Sequence, residues 1–351
     1  MTPNPYFHLD DPPTTLYLGD CLDGMRALLD DASVSVVVTS PPYNIGVKYN
    51  HYDDRRDHDD YLSWIEAVAA EVHRVLEPDG SFFLNVGSRP SDPWLAWDVA
   101  NRLRRLEAQQ PRSRRKIHAV GAQHAAPARA PKGRQLVPPT PAHPEPVEGP
   151  ALSNDTGRFV LQNVIIWVKS ISIQKSDIGA YPNITGDVSV GHYKPITSRR
   201  YLHDNYEYIF HFTKTGNVPI DRLAIGVPYQ DKTNIGRWRA AEQDLRCRGN
   251  TWFIPYKTIR DRASQRPHPS TFPVQLPEMC LKLHGLDHTH LVLDPFLGLG
   301  STTLAALTLG LPSLGFDIDP QYLAQAKERL ERQAASLNGR AKASAALAVS
   351  P

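Results

Sequence analysis

Residues 34–46 read VSVVVTSPPYNIG, an apolar run that stops at two adjacent prolines. A strand without polar alternation is typical of a parallel sheet that is covered on both faces. The prolines fix two φ angles and remove two N–H donors, so the strand has to end there. The stretch therefore predicts a buried parallel strand that leads into a rigid polar corner at one edge of a sheet.

The same pattern, a short β-rich run that ends in polar or turn residues, occurs three more times. The other runs are TTLYLGD (14–20), HLVLD (290–294) and SLGFD (313–317), and a segment with helical spacing follows each of them. Strands that alternate with helices predict an α/β fold with a doubly wound, mostly parallel sheet. Because ligands bind beyond the carboxyl ends of such strands, we expect the four corners to line one site.

Other segments extend the predicted sheet. The stretch YLSWIEAVAAEVHRVL (61–76) has apolar residues at helical spacing and is followed by the stop signal EPDG. Strand composition recurs in SFFLNV (81–86), FVLQNVIIWVK (159–169) and YEYIFHFTK (206–214). We expect a helix over 61–76 and three further strands that close the sheet.

The composition bounds the class of protein. With 351 residues, 41% of them hydrophobic and 22% charged, the chain resembles globular proteins that bury a full core. It has no run of about 18 apolar residues that could span a membrane, and MTPNPYFHLDD lacks the pattern of a secretory signal. The three cysteines and fourteen histidines show no disulfide or metal-ligand spacing. We expect a cytoplasmic, nucleoid-associated protein without a bound metal.

The distribution of charge is more informative than the net charge of +2. Residues 194–266 contain fourteen Lys and Arg against seven Asp and Glu, with Tyr229, Trp238, Trp252 and Tyr256 among them. A basic segment with interleaved aromatic residues is typical of a surface that follows DNA phosphates. A solvated surface above a few core aromatics has the same composition, and we expect Trp252 to lie in the core.

A proline-rich stretch divides the chain. Residues 107–157 contain nine of the 31 prolines and no aromatic residue, which predicts a disordered insertion. The predicted organisation is as follows: a catalytic half (1–106), the insertion (107–157), the remaining strands with a DNA-facing loop (158–215), a target-recognition region (216–262), a cofactor-binding half (263–335) and a flexible tail (336–351).

The stretch LDPFLGLGSTT (293–303) predicts a strand, a glycine turn and the start of a helix. Gly298 and Gly300 permit positive φ and a close approach of the backbone to a ligand, and Ser301 and Thr302 can cap the helix. The third glycine of the dinucleotide fingerprint and the GK[ST] of a phosphate loop are both missing. Asp317 ends the next strand and can accept both hydroxyls of a ribose. The pattern indicates a nucleoside cofactor, with NAD and S-adenosylmethionine both open.

The corner TSPPYNIG (39–46) has the features of a receptor for a planar amino group. Its prolines hold the Ser40 hydroxyl and the Pro41 carbonyl as free acceptors, and Tyr43 is expected to expose its ring for stacking. The amino nitrogen of cytosine or adenine is a poor nucleophile because its lone pair is delocalised into the ring. Acceptors for both of its protons make this nitrogen more tetrahedral and stabilise the charge that develops during its attack. A dehydrogenase would need a general acid or base instead.

Together, TSPPY (39–43) and DPFLGLGS (294–301) resemble the S-adenosylmethionine-dependent amino-methyltransferases of DNA. The catalytic motif comes first, as in the β-group of these enzymes. Four further stretches resemble elements of the family in the same order: YLGDCLDGMRAL (17–28), RVLEPDGSFFLNVG (74–87), NVIIWVKS (163–170) and RPHPSTFPVQLPEMCLKLH (266–284). The resemblance covers the chain apart from the insertion and the tail, and it implies a Rossmann-like methyltransferase fold, S-adenosylmethionine as the cofactor and double-stranded DNA as the substrate.

The resemblance also implies the roles of individual residues. Its catalytic positions are Ser40, Pro41, Pro42 and Tyr43, and Asp20 is the acidic residue that contacts the adenine of the cofactor. The further cofactor positions are Cys21, which we expect to be packed or to contribute its backbone, His268, Ser270, Phe272, Asp294, Phe296, Gly298, Gly300, Ser301, Thr302 and Asp317. Family members with Ser at the first catalytic position mostly methylate cytosine N4, whereas those with Asp or Asn methylate adenine N6. Ser40 therefore favours cytosine N4, with adenine N6 as the alternative, and the absence of a cysteine from the corner excludes C5 methylation.

A base inside a duplex has to flip out before its amino group can be methylated, at a cost of roughly a few kcal/mol. The candidates for contacts with the opened duplex are Asn44, Lys48, Arg199, Arg200, Arg237, Arg239, Arg246 and Arg248. We interpret His203, Asp204 and Glu207 as a structural hydrogen-bond cluster.

Several other functions share parts of these patterns. Enzymes that methylate RNA bases or protein glutamine use a similar corner, but the long basic segment argues against a protein substrate. An NAD-dependent oxidoreductase and a non-catalytic DNA-binding protein are more distant alternatives. The sequence leaves open a homodimer and a cognate restriction endonuclease as partners.

Overall fold

The computed structural model describes residues 4–105, 158–178, 185–191, 197–237, 243–256 and 270–348. The predicted insertion (107–157) lies outside these ranges, as do the last three residues of the predicted tail. None of the described helices is long and apolar enough to cross a membrane.

A nine-stranded sheet is the centre of the described structure, and two short strands form a separate pair. The strands are β1 (Phe7–Asp10), β2 (Pro13–Leu18), β3 (Val34–Thr39), β4 (Leu76–Val86), β5 (Val160–Val168), β6 (Ile171–Ile173), β7 (Val188–Val190), β8 (Tyr206–Thr213), β9 (Thr251–Phe253), β10 (Val292–Asp294) and β11 (Ser313–Asp317). Their order in the large sheet is β1-β2-β11-β10-β3-β4-β8-β5-β9. The five strands from β2 to β4 in this order are parallel, which confirms the mostly parallel sheet.

Helices cover both faces of the sheet. They are α1 (Cys21–Leu28), α2 (His58–Val75), α3 (Leu95–Arg104), the short α4 (Lys175–Ile178), α5 (Gln275–His284), α6 (Ser301–Thr308) and α7 (Pro320–Ala348). On one side α1 packs on α2 and α2 on α3, and on the other side α5 packs on α6 and α6 on α7. This arrangement confirms the doubly wound architecture.

The strand that leads into the proline corner is completely buried. Val37 packs into the cluster under α1 and α2, whereas Val36 and Val38 pack into the cluster under α5 and α6. Because successive side chains of a strand point to opposite faces, an unbroken valine run fits only a strand that is covered on both sides. Burial of each valine contributes roughly 1.5–3 kcal/mol, so this strand is firmly fixed at the centre of the sheet.

The segment EPDG does not form the loop that its composition predicts. The helix α2 ends at Val75, and β4 begins at Leu76 and runs through EPDG. A Cβ on Gly80 would lie 2.9 Å from the carbonyl oxygen of Ser35, so only glycine lets the chain lie this close to β3.

Two of the predicted regions contain regular elements. The last helix continues to Ala348, through most of the tail predicted to be flexible (336–351). The end of the predicted target-recognition region joins the main sheet, because β9 pairs with β5. Trp252 of β9 is 1% exposed, which confirms its expected place in the core.

Candidate active site

The four predicted corners meet at one edge of the sheet, where they line a single cavity of about 210 Å³. The predicted catalytic and cofactor residues on its wall are Asp20, Cys21, Ser40, Pro42, Ser270, Phe272, Phe296, Gly298, Ser301 and Asp317. Asp294, Gly300 and Thr302 are buried and do not belong to this wall. His268 lies outside the described residues.

Asp317, at the end of β11, holds the glycine loop in place. Its Oδ2 accepts a hydrogen bond from the Gly298 N–H at 2.8 Å, and its Oδ1 accepts one from the Asp319 N–H at 2.8 Å. Burial raises the pKa of Asp317 to about 6. Because a carboxylate oxygen has two acceptor positions, each oxygen can accept a further hydrogen bond from a ligand in the cavity.

The hydroxyl groups at the start of α6 do not cap this helix, so the capping prediction is wrong. Gly300, with φ of 70°, occupies the N-cap position. Ser301 Oγ instead donates to the Phe272 carbonyl at 2.9 Å, and Thr302 Oγ1 donates to the Val38 carbonyl at 3.0 Å. The two hydroxyls therefore attach α6 to the segment before α5 and to β3.

Asp294 has a structural position beneath the cavity. It is completely buried, and its Oδ1 accepts hydrogen bonds from Thr39 Oγ1 at 2.6 Å and from the Phe296 N–H at 3.1 Å. Burial raises the pKa of this carboxyl to about 6. Asp294 thus joins the ends of β10 and β3 and fixes the start of the glycine loop.

Asp20 and Cys21 lie at the start of α1, next to the end of β11, because β2 pairs with β11 and the Gly19 N–H donates to the Asp317 carbonyl at 2.9 Å. Asp20 is the N-cap, because its Oδ1 accepts from the backbone N–H groups of Leu22 and Asp23 at 2.8 and 3.3 Å. The Asp20 side chain is exposed, so it also remains accessible to a ligand. Cys21 is buried, and burial raises the pKa of its thiol, which keeps the sulfur protonated and unreactive.

The proline corner Ser40–Tyr43 holds the predicted catalytic residues, and we call it the catalytic corner. The loop that follows it covers part of the cavity, and we name it the Asp54 loop (residues 44–57). Asp54 is 1% exposed. Its Oδ1 accepts from the Asn44 N–H at 2.7 Å, and its Oδ2 accepts from the N–H groups of Ile45 and Val47 at 3.1 and 2.9 Å. One buried carboxylate therefore determines the backbone path of the loop.

The Asp54 loop and α2 supply an aromatic wall that the sequence motifs do not predict. Tyr49, Tyr52 and Trp64 line the cavity together with Phe296. The Tyr52 and Trp64 rings are stacked at 5.4 Å, and the Trp64 and Phe296 rings meet edge to face at 5.3 Å. The Arg56 guanidinium lies 4.8 Å from the centre of the Tyr52 ring. The sequence indicates this wall only through two tyrosines, Tyr49 and Tyr52, in a segment without helical or strand periodicity. Large aromatic side chains need a packing partner even in a loop.

The Asp54 loop is also attached to Asp319, which follows β11 and lines the same cavity. Asn50 Nδ2 donates to Asp319 Oδ2 at 2.8 Å, and His51 Nδ1 lies 3.4 Å from the same oxygen. Asp319 also accepts from the Gln321 N–H at 2.8 Å, which caps α7. The Asp54 loop thus connects the end of β3 to the residues that follow β11.

Side chains in or just after four neighbouring strands, β3, β4, β5 and β8, form a hydrogen-bond network behind the catalytic corner. Ser40 Oγ lies 2.7 Å from the Tyr43 hydroxyl, which donates to Glu207 Oε2 at 2.9 Å. Asn85 Nδ2 donates to the same carboxylate oxygen at 2.7 Å. Lys169 Nζ donates to Glu207 Oε1 at 3.0 Å. Glu207 therefore belongs to the catalytic corner and is not confined to a separate cluster with His203 and Asp204.

One expectation about the corner is wrong, because Tyr43 is only 6% exposed and its ring is not open for stacking. The Ser40 hydroxyl is hydrogen-bonded to the Tyr43 hydroxyl. The ring lies against Gly87 at the end of β4, where an added Cβ would be 2.9 Å from Tyr43 Cε2. Pro41 is buried, and the Pro42 carbonyl accepts from the Tyr61 hydroxyl at 2.9 Å.

The residues predicted to contact DNA have different environments. Lys48, Arg199, Arg200, Arg237 and Arg246 are exposed, and Arg239 lies outside the described residues. Arg248 is half-buried and donates to the Ile225 carbonyl at 2.9 Å. The side chain of Asn44 is used inside the Asp54 loop, where it donates to the Arg56 carbonyl at 2.9 Å and accepts from the Arg56 N–H at 2.8 Å.

A second, polar pocket lies beside the Asp54 loop. Arg55, Arg56, His58 and Arg89 line it together with residues 44–46 and with Asp92, which lies 4.0 Å from Arg89. It is therefore a basic surface close to the catalytic corner that the sequence motifs do not indicate. Within the described residues, no three His, Cys, Asp or Glu side chains are grouped to hold a metal.

Comparisons with known proteins agree with this geometry. A family model described as DNA methylase matches residues 34–328. The Type II methyltransferase M.ScaI of Streptomyces caespitosus is 25% identical over 344 residues, which cover 95% of this chain and 86% of the relative. The Type II methyltransferase M.SmaI of Serratia marcescens is 25% identical over 339 residues, which cover 91% of each protein. The solved structure of "PvuII DNA methyltransferase (cytosine-N4-specific)" matches with a TM-score of 0.56 at 18% identity, over 96% of this chain and 94% of that chain.

The matched residues include both the catalytic corner and the glycine loop. The likeness to the solved structure confirms the Rossmann-like methyltransferase fold. Because the family model covers most of the chain, the protein belongs to the N6/N4 DNA methylase family, which is composed of S-adenosylmethionine-dependent enzymes that methylate amino groups of DNA bases.

Proposed function

We propose that the protein transfers a methyl group from S-adenosylmethionine to the N4 amino group of a flipped-out cytosine in double-stranded DNA. The observation that carries this proposal is the position of Ser40 on the cavity wall, at the end of the buried strand β3. The first catalytic position thus holds a neutral hydroxyl, where adenine-methylating members of the family carry a carboxylate or an amide.

The residues of the cavity fit the cofactor. Asp317 has acceptor positions for ribose hydroxyls, and Asp20 lies exposed on the same cavity wall. Trp64 and Phe296 provide aromatic surface that attracts a cation. When bound, S-adenosylmethionine supplies a methyl group on a positively charged sulfur. Asp20, Phe296 and Asp317 are therefore the residues that we expect to hold it.

Ser40 acts on the amino group that receives the methyl group. Its hydroxyl oxygen accepts a hydrogen bond from the amino group of the base, which draws electron density towards the nitrogen and stabilises the positive charge that develops there. A neutral oxygen is sufficient for this task if the amino proton leaves to water after methyl transfer. The stacking of Tyr43 on the base remains a prediction, because its ring is buried in this conformation.

The likeness to a cytosine-N4-specific methyltransferase supports the choice of base at the level of the fold. Adenine N6 is the alternative, since the family includes both chemistries. On the DNA side, we expect Arg55 and Arg89 to contact phosphates next to the flipped nucleotide, because they line a basic pocket beside the catalytic corner.

Mass spectrometry of nucleosides tests the choice of base. The purified protein is incubated with S-adenosylmethionine and unmethylated duplex DNA of mixed sequence, and the DNA is then digested. N4-methylcytosine is the expected product, and N6-methyladenine as the sole product would refute the cytosine assignment. Ser40→Ala should lower kcat with little change in cofactor affinity, whereas Asp317→Ala should do the reverse. Equal losses of both quantities in each variant would contradict the division of roles.

A further inference from the structure

A partly buried carboxylate, that of Glu207, lies behind Ser40 and Tyr43 and is not part of the cavity wall. Glu207 lies at the start of β8, which is antiparallel to β4, with Tyr208 opposite Val86. The start of β8 therefore lies beside the carboxyl end of β4, at the edge of the sheet that carries the site. The Glu207 side chain is 12% exposed, and the Lys169 ammonium at 3.0 Å balances its charge.

The network around Glu207 determines the direction of its hydrogen bonds. An ionised carboxylate only accepts hydrogen bonds. Burial and the neighbouring Glu207 raise the pKa of Tyr43 well above its ordinary value, so the phenol keeps its proton and donates it to Glu207 Oε2 at 2.9 Å. Asn85 Nδ2 also donates to this oxygen, at 2.7 Å. The carboxylate thus takes the only proton that the Tyr43 hydroxyl has to offer.

The direction of the next hydrogen bond follows from this. The Tyr43 hydroxyl lies 2.7 Å from Ser40 Oγ, and because its own proton is directed at Glu207, it can only accept from Ser40. The Ser40 proton is therefore turned towards Tyr43, behind the wall of the cavity. Asn85 Nδ2 lies 2.7 Å from the Tyr43 hydroxyl and 3.4 Å from Ser40 Oγ, so it approaches one of the two lone pairs of Ser40 Oγ. The other lone pair is left for a group inside the cavity that the Ser40 side chain lines.

We propose that Glu207 is a positioning residue, which acts through Tyr43 to hold Ser40 as a hydrogen-bond acceptor for the amino group of the substrate base. If the Ser40 proton pointed into the cavity, it would confront the N–H protons of that amino group. The inference rests on the proposed methyl transfer to a base amino group, and it holds equally for cytosine N4 and adenine N6.

The variant Glu207→Gln tests the proposal. An amide can donate to the Tyr43 hydroxyl, which is then free to donate to Ser40, so the hydrogen bond between Tyr43 and Ser40 no longer has a fixed direction. We expect kcat to fall roughly 10- to 100-fold, while the Kd of S-adenosylmethionine stays within about twofold of the wild-type value. Glu207→Asp keeps the charge and should recover part of kcat. A wild-type kcat in Glu207→Gln would overturn the proposal.

A matched control separates positioning from stability. Glu71 has the same side-chain exposure of 12% and is paired with Arg26 and Arg74 at 2.9 and 2.8 Å. It lies on α2, outside the cavity wall. Glu71→Gln should therefore lower Tm without a comparable loss of kcat. If both variants lose kcat in proportion to Tm, Glu207 has only a structural role and the proposal fails.

The double variant Ser40→Ala/Glu207→Gln gives the sharpest test. If Glu207 acts through Ser40, its replacement should cost little further activity once the Ser40 hydroxyl is gone. An equal loss of kcat in the presence and absence of the hydroxyl would show independent action and refute the proposal. Tyr43→Phe breaks the connection at its centre and repeats the test if Glu207→Gln fails to fold. The methylated product of the wild-type protein is identified first, so a wrong base and a wrong role for Glu207 give different results.

Discussion

The Asp54 loop depends on one carboxylate, and Asp54→Ala should open it. In the structure, this buried carboxylate accepts three backbone hydrogen bonds, from Asn44, Ile45 and Val47 at 2.7–3.1 Å. The variant removes all three acceptors and leaves no oxygen to replace them. The loop then has to expose its N–H groups to water, and Tyr49 and Tyr52 leave the wall of the cofactor cavity.

The size of the effect follows from the number of hydrogen bonds. A hydrogen bond to a charged group contributes about 1.5–3 kcal/mol net, so three of them favour the closed loop by at most roughly 5–9 kcal/mol. We expect a smaller loss, because the opened N–H groups gain water as a partner. The Asn44–Arg56 and Asn50–Asp319 hydrogen bonds also remain to hold the loop. Because a ligand binds less tightly when its competent state is less populated, we expect the Kd of S-adenosylmethionine to rise roughly 10- to 100-fold.

Isothermal titration calorimetry with S-adenosylmethionine measures this change directly. Asp57→Ala is the matched control, because Asp57 caps α2 by accepting from the N–H groups of Asp59 and Asp60 at 2.9 and 3.4 Å. The loss of this cap should cost about 1 kcal/mol of stability and leave the cofactor affinity unchanged. Wild-type affinity in Asp54→Ala would refute the reasoning, because it would show that the loop and its tyrosines contribute nothing to cofactor binding.

Three other changes test separate parts of the site. Burial raises the pKa of Asp317 to about 6, and protonation turns one of its carboxylate oxygens from an acceptor into a donor. The affinity for S-adenosylmethionine should therefore fall up to about tenfold per pH unit below pH 6. Asp317→Asn should remove this contribution in titrations at several pH values. Gly87→Ala places a Cβ 2.9 Å from Tyr43 Cε2, which should cost about 1–3 kcal/mol of stability and lower kcat by roughly tenfold. Arg55→Ala and Arg89→Ala should each reduce the salt slope of DNA binding by about 0.9, measured by fluorescence anisotropy, and an unchanged slope would contradict the phosphate contacts.

The parallel centre of the sheet is predictable from the sequence because its signals are local. The valine run of β3 and the sharp corners after β2, β10 and β11 each depend on residues that are adjacent in the chain. The edge strand β9 has no such signal, since Thr251–Phe253 is only three residues long and alternates between exposed and buried positions. It becomes a strand because β5 provides a hydrogen-bonding partner, and this pairing joins segments that are far apart in the sequence.

The candidate site also has a part that the sequence predicts and a part that it does not. Its motif residues are predictable, since a glycine turn or a proline corner requires particular residue types at adjacent positions. The Asp54 loop has neither helical nor strand periodicity, and its path depends on a carboxylate that folds back onto residues seven to ten positions earlier in the chain. Similarly, Ser301 and Thr302 have the residue types of a helix cap, but tertiary acceptors on Phe272 and Val38 take both hydroxyls.

The Glu207 network also explains how a serine is accommodated at the first catalytic position. The Tyr43 hydroxyl lies between Ser40 Oγ and the Glu207 carboxylate, with contacts of 2.7 and 2.9 Å, and Asn85 Nδ2 also approaches both groups, at 3.4 and 2.7 Å. A carboxylate at position 40 would therefore face a second buried carboxylate across one phenol, and two such groups cannot both ionise at little cost. With serine at position 40, the one negative charge of this network is that of Glu207 on β8, and Lys169 balances it. Hydrogen bonds through the Tyr43 hydroxyl carry the influence of this charge to Ser40. The neutral acceptor and the buried carboxylate are thus compatible as a pair, which connects the residue that favours cytosine to a side chain about 170 positions later in the chain.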